Sequence, residues 1–395
     1  MKHIGIILLL LASTWAAAQT PTGVLLPDGK EFISWEKPLT FAKTYYVDNR
    51  NPKASDSNPG TKDLPFLTIK KAAQVLEPGE RVLIMTGVYR ERVAPARGGT
   101  GPDKIVSYEA APGANVIVKG SRLVKSGWEP STGYRPDRFG PPRSKAKVFQ
   151  RRLDDLDFQG YNPFGMASIM MDRVYLFPTR EELDRHLRRR GLVFVDGKRL
   201  EQVPLFHLLA QKDDAYWVEQ NGLTLHVHLA GDANPAEHEV ELAIQEQVFA
   251  PRQRELGYIR VKGITFEHGA DSFPPPQRAL VSTTGGHHWI IEDCTIRHAN
   301  AIGLDLGYQD WNMTMPELVG YHIVRRNHID DAGVCGIAGM GVRETLIESN
   351  LVENIGWQDV ELMWETGGIK LHTTKSCLLR NNVIRHLKHG GAIWL

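Results

Sequence analysis

One short pattern recurs through the last third of the chain and restricts the fold more than any other feature. Val261 to Phe266, Ile291 to Ile296, Val324 to Ile329, Ile347 to Val352 and Leu379 to Ile384 each open on an apolar residue. Each passes through polar and turn-forming residues and closes on an apolar residue five positions on. The closing residues step by 30, 33, 23 and 32 positions. A short unit repeated at irregular intervals marks a solenoid whose coils carry loops of unequal length. Dense β-branched residues, with Asn and Gly at the corners, predict an all-β fold: a right-handed parallel β-helix. Leucine-rich repeats lack support because the spaced leucines are missing, and helical repeats because no long 3.6-residue period is present.

Equivalent residues of successive coils in such a solenoid stack about 4.8 Å apart. A second signature follows each closing residue, at Gly303-Leu304-Asp305-Leu306, Gly336-Ile337-Ala338-Gly339, Gly368-Ile369-Lys370-Leu371 and Gly391-Ala392-Ile393-Trp394-Leu395. With Leu304, Ile337, Ile369 and Ile393 pointing inward, Asp305, Ala338, Lys370 and Trp394 form the next outward column. Gly307, Met340 and His372 form the outward column beyond it. An acid, a base, an imidazole and an indole on one strand face suit sugar binding, since rings stack on pyranose faces and charged groups hold hydroxyls. An ordinary solvated face remains open on the columns alone. The loops favour the first reading. The gap before the second signature is seven residues in three coils and sixteen between Val352 and Gly368. The added segment, Trp357 to Thr366, carries two Trp and three acids, and long solenoid loops are where function concentrates.

The remaining chain is organised around this solenoid. Met1-Lys2-His3, the apolar run Ile4 to Leu11 and the small residues Ala16 to Ala18 predict a signal peptide over 1–18, hence a secreted or periplasmic protein. The run is too short to span a bilayer. Residues 19–126 open on a loose segment and continue as the N-terminal cap and first coils. They include a short helix with Phe66, Ile69, Ala72, Ala73 and Leu76 on one face, stopped by Pro78-Gly79. Residues 127–251 differ in texture and predict an inserted, mostly antiparallel β-sandwich-like module. It carries a basic helix from Thr179 to Arg190 with Thr179 and Glu182 as a capping box, and a hairpin at Asp196-Gly197. The strand Leu223 to Leu229 alternates, with one face buried and His226 and His228 on a solvated face. Residues 252–395 are the remaining coils. Cys294, Cys335 and Cys377 fit no zinc spacing and predict no disulfide framework; burial in or against the core is the expectation. A formal net charge of +1 gives no electrostatic case for nucleic acid.

The N-terminal residues Tyr46-Val47-Asp48, Asn58-Pro59-Gly60-Thr61, Pro65 to Ile69, Pro78 to Val82 and Gly87 to Glu91 resemble the cap of the pectate-lyase-like β-helix superfamily. Tyr161-Asn162-Pro163, Trp289 to Cys294, His322 to Arg325 and Glu365 to His372 resemble glycoside hydrolase family 120, the β-xylosidases. The resemblance implies a β-helix interrupted by a sandwich, and a retaining two-carboxylate mechanism on xylose-containing or related plant glycans. It implies Glu365 as an acidic site residue, and the stacked columns give Asp305, Lys370, His372 and Trp394 as substrate contacts beside it. The family's nucleophilic aspartate follows an Ile-Trp pair, so the expectation is an Asp immediately after Leu395, with the acid/base glutamate further on and GGAIWL as a fragment's end. No cofactor is implied; a calcium ion is not indicated. The rival functions are a polysaccharide lyase, which needs an acid cluster for calcium and a Lys or Arg base, and a non-catalytic glycan-binding protein.

Overall fold

The computed structural model describes residues 20–133, 146–168, 187–272, 277–308, 319–363 and 365–395. Three parallel sheets wind around one apolar core. The first has eight strands, from Lys43–Val47 to Leu378–Arg380, and the second has seven, from Gly87–Arg90 to Val383–Leu387. The third has five: Val281–Ser282, Ile302–Asp305, Cys335–Met340, Gly367–His372 and Gly391–Trp394. The recurring six-residue segments, or hexads, from Val261 to Phe266 through Leu379 to Ile384, are the corners between the first and second sheets. At each corner one residue takes the left-handed conformation: Gly263, Asp293, Arg326, Ser349 and Asn381, with φ of 70, 57, 53, 55 and 55°.

The residue after each of these turns into the core, and in three successive coils it is asparagine. Asn350 Oδ1 accepts from the Asn327 backbone N–H and from Asn327 Nδ2, each at 3.0 Å. Asn350 Nδ2 donates to the Val324 carbonyl at 3.0 Å and to Asn382 Oδ1 at 2.9 Å. An amide offers both donors and acceptors, so identical side chains can bond up a stack without end groups of another type. Entry to the third sheet needs glycine for a different reason. A Cβ on Gly336 would lie 2.5 Å from Val352 Cγ1, and one on Gly303 would lie 2.8 Å from Ile329 Cγ2. The strand starts there against the inward side chains of the second sheet, and only a residue without a side chain fits.

The outward column of the first sheet alternates in sign: Lys262, Glu292, Arg325, Glu348 and Arg380 are in register. Burial alone would raise the Glu292 carboxyl, but Arg260 and Arg325 outweigh it and hold the group down at about 2. The leading segment is not loose. It forms a hairpin, Thr20–Leu25 with Glu31–Ser34, and then lies along this face. Phe32, Trp35 and Leu39 pack on Ile105, Ile290, Ile323 and Leu346, and Glu36 binds Arg325 through both carboxylate oxygens at 2.7 Å. The hexads hid this because their inward residues are the neighbours Ile291, Val324 and Ile347.

The chain leaves the solenoid after Val116–Lys119 and rejoins it at Phe249, which bridges Val93 and Val281. Between them stand a four-stranded sheet and a five-stranded sheet, mostly antiparallel, around a second core that includes Phe164, Tyr216, Leu225 and Leu242. Asp196 and Gly197 form the hairpin turn with φ of 49 and 77°. Of the segment read as a basic helix, residues 179–186 lie outside the described residues. Residues 187–190 are not helical, and Arg189 bridges to Ala167. The strand Thr224–His228 is buried on both faces, so His226 and His228 are not solvated. The 3-10 helix Phe206–Gln211 covers their face. His228 Nδ1 donates to the carbonyls of Leu209 and Lys212, and His226 bonds Ser131 and Glu219. Alternation in the sequence showed which residues share a side, but not that a second layer covers the polar side.

His322, fully buried behind the first sheet, yields a prediction about acid stability. Its Nδ1 accepts from the Trp289 N–H at 3.2 Å and its Nε2 donates to the Leu306 carbonyl at 3.0 Å, an arrangement that only the neutral ring makes. Burial depresses its pKa to about 3. The unfolded chain therefore binds the extra proton between about pH 6.5 and pH 3 while the native state does not, so stability falls as pH drops through that window. Urea midpoints between pH 7 and pH 4 should fall for the native sequence, and fall less steeply for His322→Gln; equal slopes would contradict the buried neutral ring.

Candidate functional site

The outward face of the third sheet holds the residues singled out in the sequence. Ser282, Asp305, Ala338, Lys370 and Trp394 are successive partners in one register column. His372 stands opposite Met340, two residues further along. Glu365, just before the strand Gly367–His372, folds back so that its Oε2 accepts from Lys370 Nζ at 2.7 Å. His372 Nε2 lies 3.8 Å from the same oxygen, and the Lys370 ammonium sits 4.8 Å from the centre of the Trp394 ring. Asp305 accepts from Gln277 Nε2 at 3.2 Å, Ser282 Oγ at 3.1 Å and the Gly307 N–H at 3.3 Å.

This face is roofed, which neither the sugar-binding column nor the solvated face anticipated. Asp305, Lys370 and Glu365 are 0, 2 and 5% exposed, while Trp394 keeps 39% of its surface. The loop between the strands Leu351–Ile355 and Gly367–His372 lies across the column rather than projecting from it. Its Val360 packs with Ala279, Ile302, Cys335 and Ala338 on the outside of the sheet. Gln358 bonds Asn300, Asp359 holds Lys388 and His389 at 2.6 Å each, and Trp357 stacks under the Arg199 guanidinium of the inserted module at 3.5 Å. Trp364 lies outside the described residues. Glu361, 1% exposed, is a further buried acid of the loop. All three cysteines are free thiols; Cys294 is in the core, Cys377 is half-buried, and Cys335 lies under this roof. Burial pushes the Cys335 thiol up to about 12, and the charges of Lys370, Glu365 and Asp305 all act on it. One apolar sulfur thus lies within electrostatic reach of the three charged groups.

Sequence reasoning missed Gln277 and Ser282, which hold Asp305. Their coil lacks the glycine that opens the other second signatures, so its strand Val281–Ser282 could not be aligned. Among the described residues, two other groups of acids and imidazoles have donor atoms close enough to share an ion: Glu267, His268 and His298, and His328, Asp330 and Glu353. Both are already neutralised. Glu267 is bonded by Arg297 and lies 3.4 Å from Lys119, and Glu353 is bonded by Arg385 and His328. A dication would have to displace those cations, so the donor sets do not suit one.

The three sheets, their corners and the asparagine stack define a right-handed parallel β-helix. Residues 254–393 match the family described as right handed beta helix region. Among solved structures, that of XylC in complex with xylose superposes with a TM-score of 0.72 and 24% identity over 88% of this chain and 59% of that one. A lacto-N-biosidase of Eubacterium ramulus matches 89% of this chain and 55% of its own at a TM-score of 0.46 and 13% identity. An uncharacterized protein of Bacillus subtilis (strain 168), YwoF, is 30% identical over 79 residues, which is 20% of this chain and 17% of YwoF. The chain therefore spans less than two thirds of the length of each of these proteins, and the likeness to XylC concerns the fold.

Proposed function

We propose that the third-sheet wall belongs to a glycoside hydrolase acting on xylose-containing or related plant glycans with retention of configuration. The observation that carries this reading is the buried Glu365–Lys370 pair. It shares a wall with Asp305 and is flanked by the His372 ring and the partly open Trp394 ring. Retaining hydrolysis uses two carboxyl groups about 5 Å apart in a site kept dry. Glu365 is the acidic site residue of this reading, positioned by Lys370; Asp305 and His372 contact sugar hydroxyls, and Trp394 stacks on a pyranose face. The xylose in the XylC complex supports the reading through the shared fold. The N-terminal segment supports export to the periplasm or medium. A lyase would need a free basic side chain on this wall, and Lys370 is already bound to Glu365 at 2.7 Å.

The test is release of 4-nitrophenol from aryl β-xyloside by the protein expressed from its complete reading frame, with the anomer of the first-formed sugar read by NMR. The expected result is β-xylose first, with Glu365→Gln lowering kcat by about a hundredfold or more. His372→Ala, at a half-exposed site, should fold normally and raise KM. Sugar binding without turnover by the complete protein, or a calcium-dependent unsaturated product, would overturn the proposal.

A further inference from the structure

A second concavity opens on another part of the molecule, where the N-terminal cap meets the root of the inserted module. It has a volume of about 500 Å³, and none of Asp305, Glu365, Lys370, His372 or Trp394 lines it. Its walls come from the helix Ile69–Val75, the end of the strand Gly87–Arg90 and the residues just after it, the crossing points into and out of the module near residues 120 and 245, and Arg252. What distinguishes it is charge. Many arginines elsewhere among the described residues sit on carboxylates: Arg151 on Asp155, Arg199 on Asp331, Arg260 on Glu292, Arg297 on Glu267 and Arg385 on Glu353. Around this cavity Lys70, Arg92, Arg122 and Arg252 have no such partner among the described residues.

Arg92 is the most telling of the four. Its Nη2 donates to the Gln247 side chain at 3.3 Å, and its Nε is buried without any hydrogen-bond partner. Burial and the neighbouring Arg252 charge both push the guanidinium pKa down. A guanidinium half-buried beside a second one, with an empty donor, is an unfavourable arrangement unless something negative completes it. The acids nearby do not serve. Glu246, whose charge acts on Arg92, is held by Arg278 at 2.6 Å; Glu91 receives the Ile69 and Lys70 backbone N–H groups at 3.0 and 2.7 Å, and Glu241 is shared by Arg90, Lys119 and Ser121. In a chain of formal net charge +1, four unpaired cations around one hollow are not a consequence of overall basicity.

The neutral lining indicates what kind of anion fits. Gln74, Gln159, Gln245 and Gln253 also face the cavity. An amide gives a donor and an acceptor together, which matches a hydroxyl, whereas a bare oxyanion uses donors alone. The volume falls within the range of sites that enclose a small organic ligand. We infer that this cavity binds an acidic sugar: a carboxylate taken by Arg92 with Arg252 or Arg122, and ring hydroxyls taken by the glutamines. Guanidinium groups suit this because their fork matches the two carboxylate oxygens. The inference stands apart from the glycosidase reading, since it uses different residues and a binding measurement.

The test is calorimetric titration of the purified protein with glucuronate, galacturonate, xylose and inorganic phosphate at low ionic strength. Binding of at least one uronate, no detectable binding of xylose, and phosphate weaker than the uronate by about tenfold or more is the expected result. Uronate affinity should fall by about tenfold in Arg92→Gln and also in Arg122→Gln, whose side chain is exposed and whose replacement leaves the fold unchanged. Equal affinities for phosphate and uronate, equal affinities for xylose and uronate, or unchanged uronate binding in a folded Arg122→Gln/Arg252→Gln double variant would each overturn it. None of these outcomes bears on hydrolysis of a xyloside, so the two proposals fail separately.

Discussion

Replacing Asn350 by alanine is expected to lower the stability of the solenoid by about 3–4 kcal/mol. The side chain is 2% exposed and makes four hydrogen bonds. Truncation leaves the Asn327 donors and the Val324 carbonyl buried without the partners they had, while Asn382 Oδ1 keeps the backbone N–H of residue 350 at 3.1 Å. Each stranded group costs about 1–3 kcal/mol, whereas the bonds themselves contribute less on a net basis because water would have made them in the unfolded chain. Asn382 supplies an internal control. It bonds Asn350 and the Ile347 carbonyl but is only part-buried, so water can replace what it loses. Asn382→Ala should cost less than half as much. Urea denaturation followed by far-ultraviolet circular dichroism makes the comparison. A cost for Asn350→Ala no larger than that for Asn382→Ala would mean that the amide stack is hydrated in solution.

The stack also shows what the sequence carries plainly and what it hides. The hexads are legible because a corner needs three things in fixed order: an inward apolar residue, a residue that tolerates positive φ, and an inward residue on the next sheet. Asp293, Ser349 and Asn381 meet the second need, and that chemistry is visible in one chain. Register follows, because stacking at constant spacing leaves only one alignment of Leu304, Ile337 and Ile369, and so brings Asp305 and Lys370 into one column. Depth was not legible. Asp305 and Lys370 occupy outward positions, and outward reads as exposed until it is known that Val360 packs on Ala338 between them and that Gln277 and Ser282 hold Asp305. The same error affected His226 and His228, covered by the 3-10 helix, and the first sheet, covered by Phe32 and Trp35. Period reports which side of a strand a residue takes, and a second layer added by a distant segment leaves no trace in that period. The unpaired cations near Arg92 were hidden for a related reason. They lie at positions 70, 92, 122 and 252, and only the junction of cap, solenoid and module assembles them.

Removal of one charge from the Glu365–Lys370 pair should be costlier than removal of both. The side chains keep 6 and 3% of their surface, and the ion pair is 2.7 Å long. Two charges taken out of water attract each other strongly, yet much of that attraction only offsets the loss of hydration. Lys370→Met leaves the Glu365 carboxylate under the roof without its cation, with the His372 ring nitrogen 3.8 Å away. Asp305 adds a second buried acid to the same column. Such single removals cost about 3–5 kcal/mol. Glu365→Gln leaves an ammonium that still faces the Trp394 ring at 4.8 Å, so its cost should be smaller. In the double variant Lys370→Met/Glu365→Gln no charge is stranded, and most of the loss should be recovered. The double-mutant cycle in urea therefore should give a coupling of about 2 kcal/mol or more, favouring the intact pair. Independent, additive effects would show that water reaches both groups in solution. In that case the dry wall on which the glycosidase reading depends would be absent, and Glu365 would be an ordinary loop carboxylate.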